Sequence, residues 1–243
     1  MASGLRIGFL YPGYAAEDDY PDLVRQVTPP AVAQVVHTSV GEDAHRVDAL
    51  LDLGGSDRLG EGAAALRGTG VRSVVWACTS GSFVFGWDGA HRQASELGGW
   101  LGVPASSTSL AFVAAVAALD LHRVAVAATY PDDITAHLVR FLNRADIDVV
   151  SCGSRNIITA EEVGTLGREA VCTLVTGHDH PDAEAILVPD TALHTVAWIA
   201  ELEGLAGKPV LTANQVSVWQ ALRLAGHPAS GDALGALGRV ASG

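Results

Sequence analysis

Cys78, Thr79, Ser80, Gly81 and Ser82 end an uncharged, β-rich run, residues 74–77. A thiol followed at once by small hydroxyl residues and glycine reads as the turn at the carboxyl end of a buried strand, where open α/β sheets hold their active sites. Backbone N–H groups and the amino end of a following helix favour a thiolate there, and the hydroxyls offer donors to an anionic substrate. The same residues also suit a small buried hydrophobe beside a serine-rich loop. A second turn of this kind, Asp190-Thr191, ends the apolar run 185–188. Asp190 suits a proton donor or acceptor with a pKa raised by burial, and equally a cap for a helix opening near Thr191.

The elements that position these turns alternate between strand and helix patterns. Strands are expected at 5–11, 31–37, 71–77 and 105–107, with helices at 42–51, 57–66, 88–101 and 109–119. Pro12, Gly13 and Tyr14 force a loop after the first strand, on the same side as Cys78. The pattern then begins again. Strands are expected at 123–129, 146–152, 185–188 and 210–212, helices at 132–145, 160–174, 192–205 and 214–224, and one short helix at 232–241.

The two series answer each other in order. Arg6-Ile7-Gly8-Phe9 leading to Tyr11-Pro12 matches Arg123-Val124-Ala125-Val126 leading to Tyr130-Pro131. Cys78-Thr79 matches Asp190-Thr191, and Gly102-Val103-Pro104 matches Gly207-Lys208-Pro209. Two equivalent α/β halves follow, the first from residues 1–109 plus 215–243 and the second from 110–214. A pseudo-twofold axis between them makes the carboxyl ends of equivalent strands share one cleft, with Cys78 and Asp190 on opposite sides of a bound molecule.

Composition limits the classes available. At 243 residues, 49% of them hydrophobic and 17% charged, the chain can bury a sizeable core. A net charge of −12 argues against nucleic acid and anionic membranes as partners. The apolar runs are strand-sized, so no membrane span is expected. Three cysteines, Cys78, Cys152 and Cys172, are too few and too widely spaced for a disulfide framework, and a reducing, cytoplasmic setting is the default. Cys152 at a strand end and Cys172 inside a helix read as core residues. His178, Asp179 and His180 resemble metal ligands but lack a third partner at a recognisable spacing, and read as a solvated loop. No dinucleotide fingerprint, P-loop or G-x-S-x-G elbow is present.

The segments R-I-G-F-L-Y-P-G, A-C-T-S-G-S, A-T-Y-P-D-D and P-V-L-T-A-N-Q-V-S-V-W-Q-A-L together resemble the aspartate/glutamate racemase superfamily in its maleate isomerase and arylmalonate decarboxylase branch. The resemblance spans nearly the whole chain, and C-T-S-G-S is its most specific part. It implies two pseudo-symmetric parallel-sheet α/β halves with the site in the cleft between them, no metal or organic cofactor, and a small carboxylate substrate; assembly as a homo-oligomer is compatible with it. Members usually place one cysteine on each half. Maleate isomerases use the one matching Cys78 as a nucleophile on a double bond and the other to handle a proton, whereas arylmalonate decarboxylases keep only the second. This chain departs from both patterns, with Cys78 in the first half and Asp190 where the second cysteine is expected.

All these reactions build negative charge next to a carboxylate and need donors aimed at its oxygens. Thr79, Ser80, Tyr130 and the N–H groups of the Cys78 and Asp190 turns can supply them, and neither turn contains Lys or Arg. Pro12, Thr191 and Asn214 complete the expected binding residues. Tyr130 also suits packing at a strand end, and Asn214 also suits helix capping. The expectation is an isomerase of the maleate type, with Cys78 as nucleophile and Asp190 as the catalytic partner. A decarboxylase, a racemase and a carboxylate-binding protein without catalysis are the alternatives.

Overall fold

Eight parallel strands form two four-stranded sheets in the computed structural model, which describes residues 4–227 and 230–240. The first sheet contains β1 (Arg6–Pro12), β2 (Val32–Thr38), β3 (Val74–Trp76) and β4 (Ala105–Ser107), in the order β2-β1-β3-β4. The second contains β5 (Arg123–Ala128), β6 (Asp148–Ser154), β7 (Ala185–Val188) and β8 (Val210–Thr212), in the order β6-β5-β7-β8. The same topology therefore occurs twice. The chain runs outwards from β1 to β2 and then to the other side through β3, so the switch point lies between β1 and β3, and between β5 and β7 in the second sheet. Ligands bind at the carboxyl ends of strands beside such points.

The helices are α1 (Asp19–Gln26), α2 (Val47–Leu53), α3 (Ser56–Leu66), α4 (Ser80–Phe83), α5 (Gly86–Leu101), α6 (Thr108–Ala118), α7 (Asp132–Arg144), α8 (Ala160–Gly164), α9 (Arg168–Gly177), α10 (Ile199–Ala206) and α11 (Ala213–Leu224). Short 3-10 turns cover Val196–Trp198 and Asp232–Arg239. One buried cluster joins the halves, including Phe9 and Val75 from the first sheet, Val126 and Leu211 from the second, and Phe112 and Val216 from the paired helices α6 and α11. Smaller clusters cover the outer face of each sheet.

The repeat extends to the turns. Gly102 and Gly207 end α5 and α10 in the left-handed region, at φ 68° and 64°, and their N–H groups bond back to Gly98 and Glu203. Only glycine takes this conformation without strain. Two residues after each glycine comes a proline, Pro104 or Pro209, and then a short strand that leads into a hydroxyl cap, Ser107 for α6 and Thr212 for α11.

Several expected elements differ. α1 was not expected from the sequence. The helix expected from residue 42 begins only at Val47, because Asp43 and His45 bond across the cleft instead of to their own segment. The helix expected over 160–174 is two helices separated at Thr165–Gly167, where Gly164 and Gly167 weaken helix propensity. The one expected from residue 192 begins at Val196 as a 3-10 turn and becomes α-helical at Ile199, since the preceding N–H groups are taken by Asp190 and Asp19. The short helix expected at 232–241 is a 3-10 segment kinked at Gly235, and residue 241 lies outside the described residues. Cys152 is not a core residue, and Cys172 only borders the core, packed against the buried cluster of the second sheet. Cys152 is exposed on the edge strand β6, and Cys172 is partly buried on α9.

Candidate active site

Cys78 lies two residues beyond β3 and Asp190 two beyond β7, both almost fully buried and both in the wall of one cavity of about 250 Å³. The cavity lies in the cleft between the halves. Pro12, Ser80 and Thr191 line it as well, so five expected site residues come together. Thr79 and Tyr130 stand behind the wall, both buried, with the Tyr130 hydroxyl beside those of Thr79 and Ser80. Asn214 is elsewhere. Its amide donates to Asp19 (2.9 Å) and its carbonyl oxygen accepts from Tyr20 (2.9 Å), while Thr212 caps α11 with Gln215 as reciprocal partner. Asn214 therefore neither caps the helix nor lines the cavity, which corrects both sequence readings.

The thiol is held by its own turn. Its sulfur accepts the Gly81 N–H at 3.3 Å and lies 3.9 Å from the Ser80 hydroxyl. A Cβ on residue 81 would stand 3.0 Å from that sulfur, so glycine is what allows the N–H to reach it. Beneath the turn, Ser109 donates to the Thr79 carbonyl (2.8 Å) and Ser82 to Ser107 (2.7 Å). These buried hydroxyls fix the backbone that carries the thiol. The Thr79 hydroxyl is buried with no geometric partner among the described residues.

Burial works against the expected thiolate in this geometry. Burial pushes the Cys78 thiol up to about 12, against the lowering donors from Gly81 and Ser80, and the charge on Asp190 adds to the rise. Desolvation outweighs two or three hydrogen bonds in a site without a cation. Burial thus favours the protonated form of Cys78.

Asp190 is fixed equally firmly. Thr129 donates to one carboxylate oxygen and the Ala192 N–H to the other at 3.0 Å. This second contact makes Asp190 a turn residue, not the cap of a helix. The Tyr11 hydroxyl donates to the Thr191 carbonyl and accepts from the Ala16 N–H, each at 3.0 Å, tying the loop after β1 to the Asp190 turn. Tyr130 donates to the Pro189 carbonyl at 2.8 Å, and burial raises its pKa well above the usual phenol range.

The mouth carries groups that had no sequence signal. Asp43 accepts the N–H groups of Ala160 (2.9 Å) and Glu161 (3.0 Å), and the His45 N–H donates to the Ile158 carbonyl (2.6 Å). A strap from the first half is thereby fastened to the second. The lining has an apolar part, with Val40, Leu50 and Leu53, and carboxylates at Glu42, Asp43, Glu161 and Asp190, with no Lys or Arg among the described lining residues. No group of three or more metal-capable side chains occurs among the described residues, and Asp179 of the His178–His180 loop pairs with Lys208 at 2.8 Å. No described helix is long and apolar enough to cross a membrane.

The duplicated topology and the shared cleft define an α/β protein of the Asp/Glu racemase-like superfamily. Residues 24–238 match the family model for arylmalonate decarboxylase, and the chain belongs to that family. It is 27% identical over 217 residues to arylmalonate decarboxylase of Bordetella bronchiseptica, covering 85% of this chain and 82% of that one. A liganded crystal structure of an arylmalonate decarboxylase variant, with one glycine changed to cysteine and one cysteine to serine, is 25% identical with a TM-score of 0.83, covering 93% of this chain and 95% of that one. Maleate cis-trans isomerase of Nocardia farcinica, a cysteine-to-serine mutant with a covalently bound succinylcysteine intermediate, is 21% identical with a TM-score of 0.84, covering 95% and 98%. These homologues are enzymes.

Proposed function

We propose that this chain is a cofactor-independent enzyme acting at the carbon next to a carboxylate, and specifically a decarboxylase of small malonate-type acids in which Cys78 delivers the proton. The observation that carries this reading is a buried thiol and a buried carboxylate on equivalent turns of one partly apolar cavity with no Lys or Arg in its described lining, where burial raises the thiol's pKa.

One substrate carboxylate is retained on the Ser80 hydroxyl and the N–H groups of the Cys78 and Asp190 turns, backed by Thr79 and Tyr130. The other faces Asp190 and the apolar wall, with Pro12 and Thr191 shaping its side. A desolvated carboxylate beside a fixed negative charge is destabilised relative to neutral CO2. The carbon–carbon bond breaks, CO2 leaves, and the electron pair passes into the retained carboxylate as an enediolate stabilised by those donors. The Cys78 thiol then gives its proton to the carbon, and water admitted as product leaves reprotonates the sulfur. A donor with a raised pKa keeps that proton until the carbanion forms.

The expected isomerase is the second reading, favoured by Cys78 itself with Asp190 close enough to raise its pKa. Transfer of the thiol proton to Asp190 frees a thiolate that adds to a double bond; rotation about the resulting single bond and elimination then give the trans acid. The succinylcysteine of the Nocardia farcinica isomerase is a covalent species of this kind. Addition to a double bond needs the thiolate, which burial disfavours at Cys78, and this puts the reading second.

Proton NMR in deuterated water against phenylmalonate, maleate and amino acids distinguishes these reactions. Monodeuterated phenylacetate is the expected product. Isomerised maleate supports the second reading, exchange at an amino-acid α-carbon supports a racemase, and ligand protection of Cys78 from alkylation without turnover overturns the enzymatic assignment.

A further inference from the structure

His45 is the one cavity-lining side chain, among the described residues, that carries an imidazole, and the reaction proposed above does not use it. It is more than nine-tenths buried. Its Nδ1 lies 2.9 Å from the Ile157 carbonyl, and its ring meets the Tyr130 ring edge-to-face at 4.9 Å between centroids. A carbonyl oxygen only accepts, so Nδ1 carries a proton, and in the Nδ1–H tautomer that this bond selects Nε2 is an acceptor. Nε2 has no protein partner among the described residues. The ring is thus locked in orientation with one unpaired acceptor in a wall whose lining also contains the carboxylates of Glu42, Asp43, Glu161 and Asp190.

We propose that His45 is a specificity-determining residue whose Nε2 receives a hydrogen bond from a donor group, a hydroxyl or an N–H, on the substrate's side chain. The inference rests on the small-carboxylate reading of the same site. An acid that lacks the donor leaves a buried acceptor unpaired, which is how a polar pocket discriminates strongly between close analogues.

The test uses phenylacetate and its 2-, 3- and 4-hydroxy isomers as unreactive ligands, with dissociation constants measured by calorimetry. At least one hydroxylated isomer is expected to bind tenfold or more tightly than phenylacetate. His45→Asn, whose amide N–H can keep the bond to Ile157 but whose side chain stops short of Nε2, is expected to lose that preference and leave phenylacetate affinity within about twofold. His45→Gln, which reaches further with an acceptor, is expected to recover part of it. If the acids bind without preference, or the preference survives in His45→Asn, the assignment of His45 fails alone. If the preference depends on His45 but neither phenylmalonate nor its hydroxylated analogues are decarboxylated, the decarboxylase reading fails alone. If none of the four acids binds, both fail.

Discussion

Asp43, on the loop after β2, holds the N–H groups of Ala160 and Glu161 at the start of α8, so a carboxylate from one half caps a helix of the other across the mouth of the cavity. The two halves are therefore joined at the site itself. Asp43→Ala should lower stability by about 1 kcal/mol, the usual cost of a lost cap. It should also weaken binding of product-like acids several-fold and speed limited proteolysis within residues 42–46, read by calorimetry and by cleavage mapping.

The raised pKa of Cys78 fixes the sign of its reactivity with pH. Alkylation needs the thiolate, so its rate should rise steadily as pH increases and level off only near 12, whereas an unperturbed thiol levels off a few units lower. Iodoacetamide labelling of Cys78, followed by mass spectrometry between pH 7 and 10, should show no plateau.

Asp190 contributes to that rise, so removing its charge must lower the Cys78 pKa. In Asp190→Asn, labelling of Cys78 at pH 8 should quicken several-fold. Decarboxylation should slow by about 10- to 100-fold, since the negative charge facing the departing carboxylate is lost. The amide oxygen can still accept the Ala192 N–H and the amide NH2 can donate to the Thr129 hydroxyl, so the fold should hold.

Gly81→Ala should displace the sulfur, because the added Cβ comes within 3.0 Å of it. A destabilisation of about 1–3 kcal/mol is expected from overpacking. Turnover should fall further than stability alone explains, as seen by comparing thermal unfolding with specific activity.

The legible parts of this molecule were those written in local patterns. The strand runs ending at Cys78 and Asp190, and the Gly102 and Gly207 turns, each depend on residues next to one another, so the duplicated fold and the two facing turns could be read directly. What could not be read depends on contacts between distant segments. Asp43 and His45 sit in a stretch that looks helical, and only the arrival of residues 157–161 from the other half draws them out of it. Asn214 looked like a cap or a ligand contact because its partner, Asp19, lies in a helix with no clear signal of its own. The thiol's protonation state likewise follows from burial, which a lone cysteine in a serine-rich turn does not announce.

The account turns on a single proton leaving Cys78. Decarboxylation of 2-methyl-2-phenylmalonate in deuterated water, with the product resolved on a chiral column, tests it most directly. One enantiomer of 2-phenylpropionate, deuterated at the α-carbon, formed by the wild type and lost on Cys78→Ala, is the predicted result. A racemic product, or full turnover by Cys78→Ala, would contradict it.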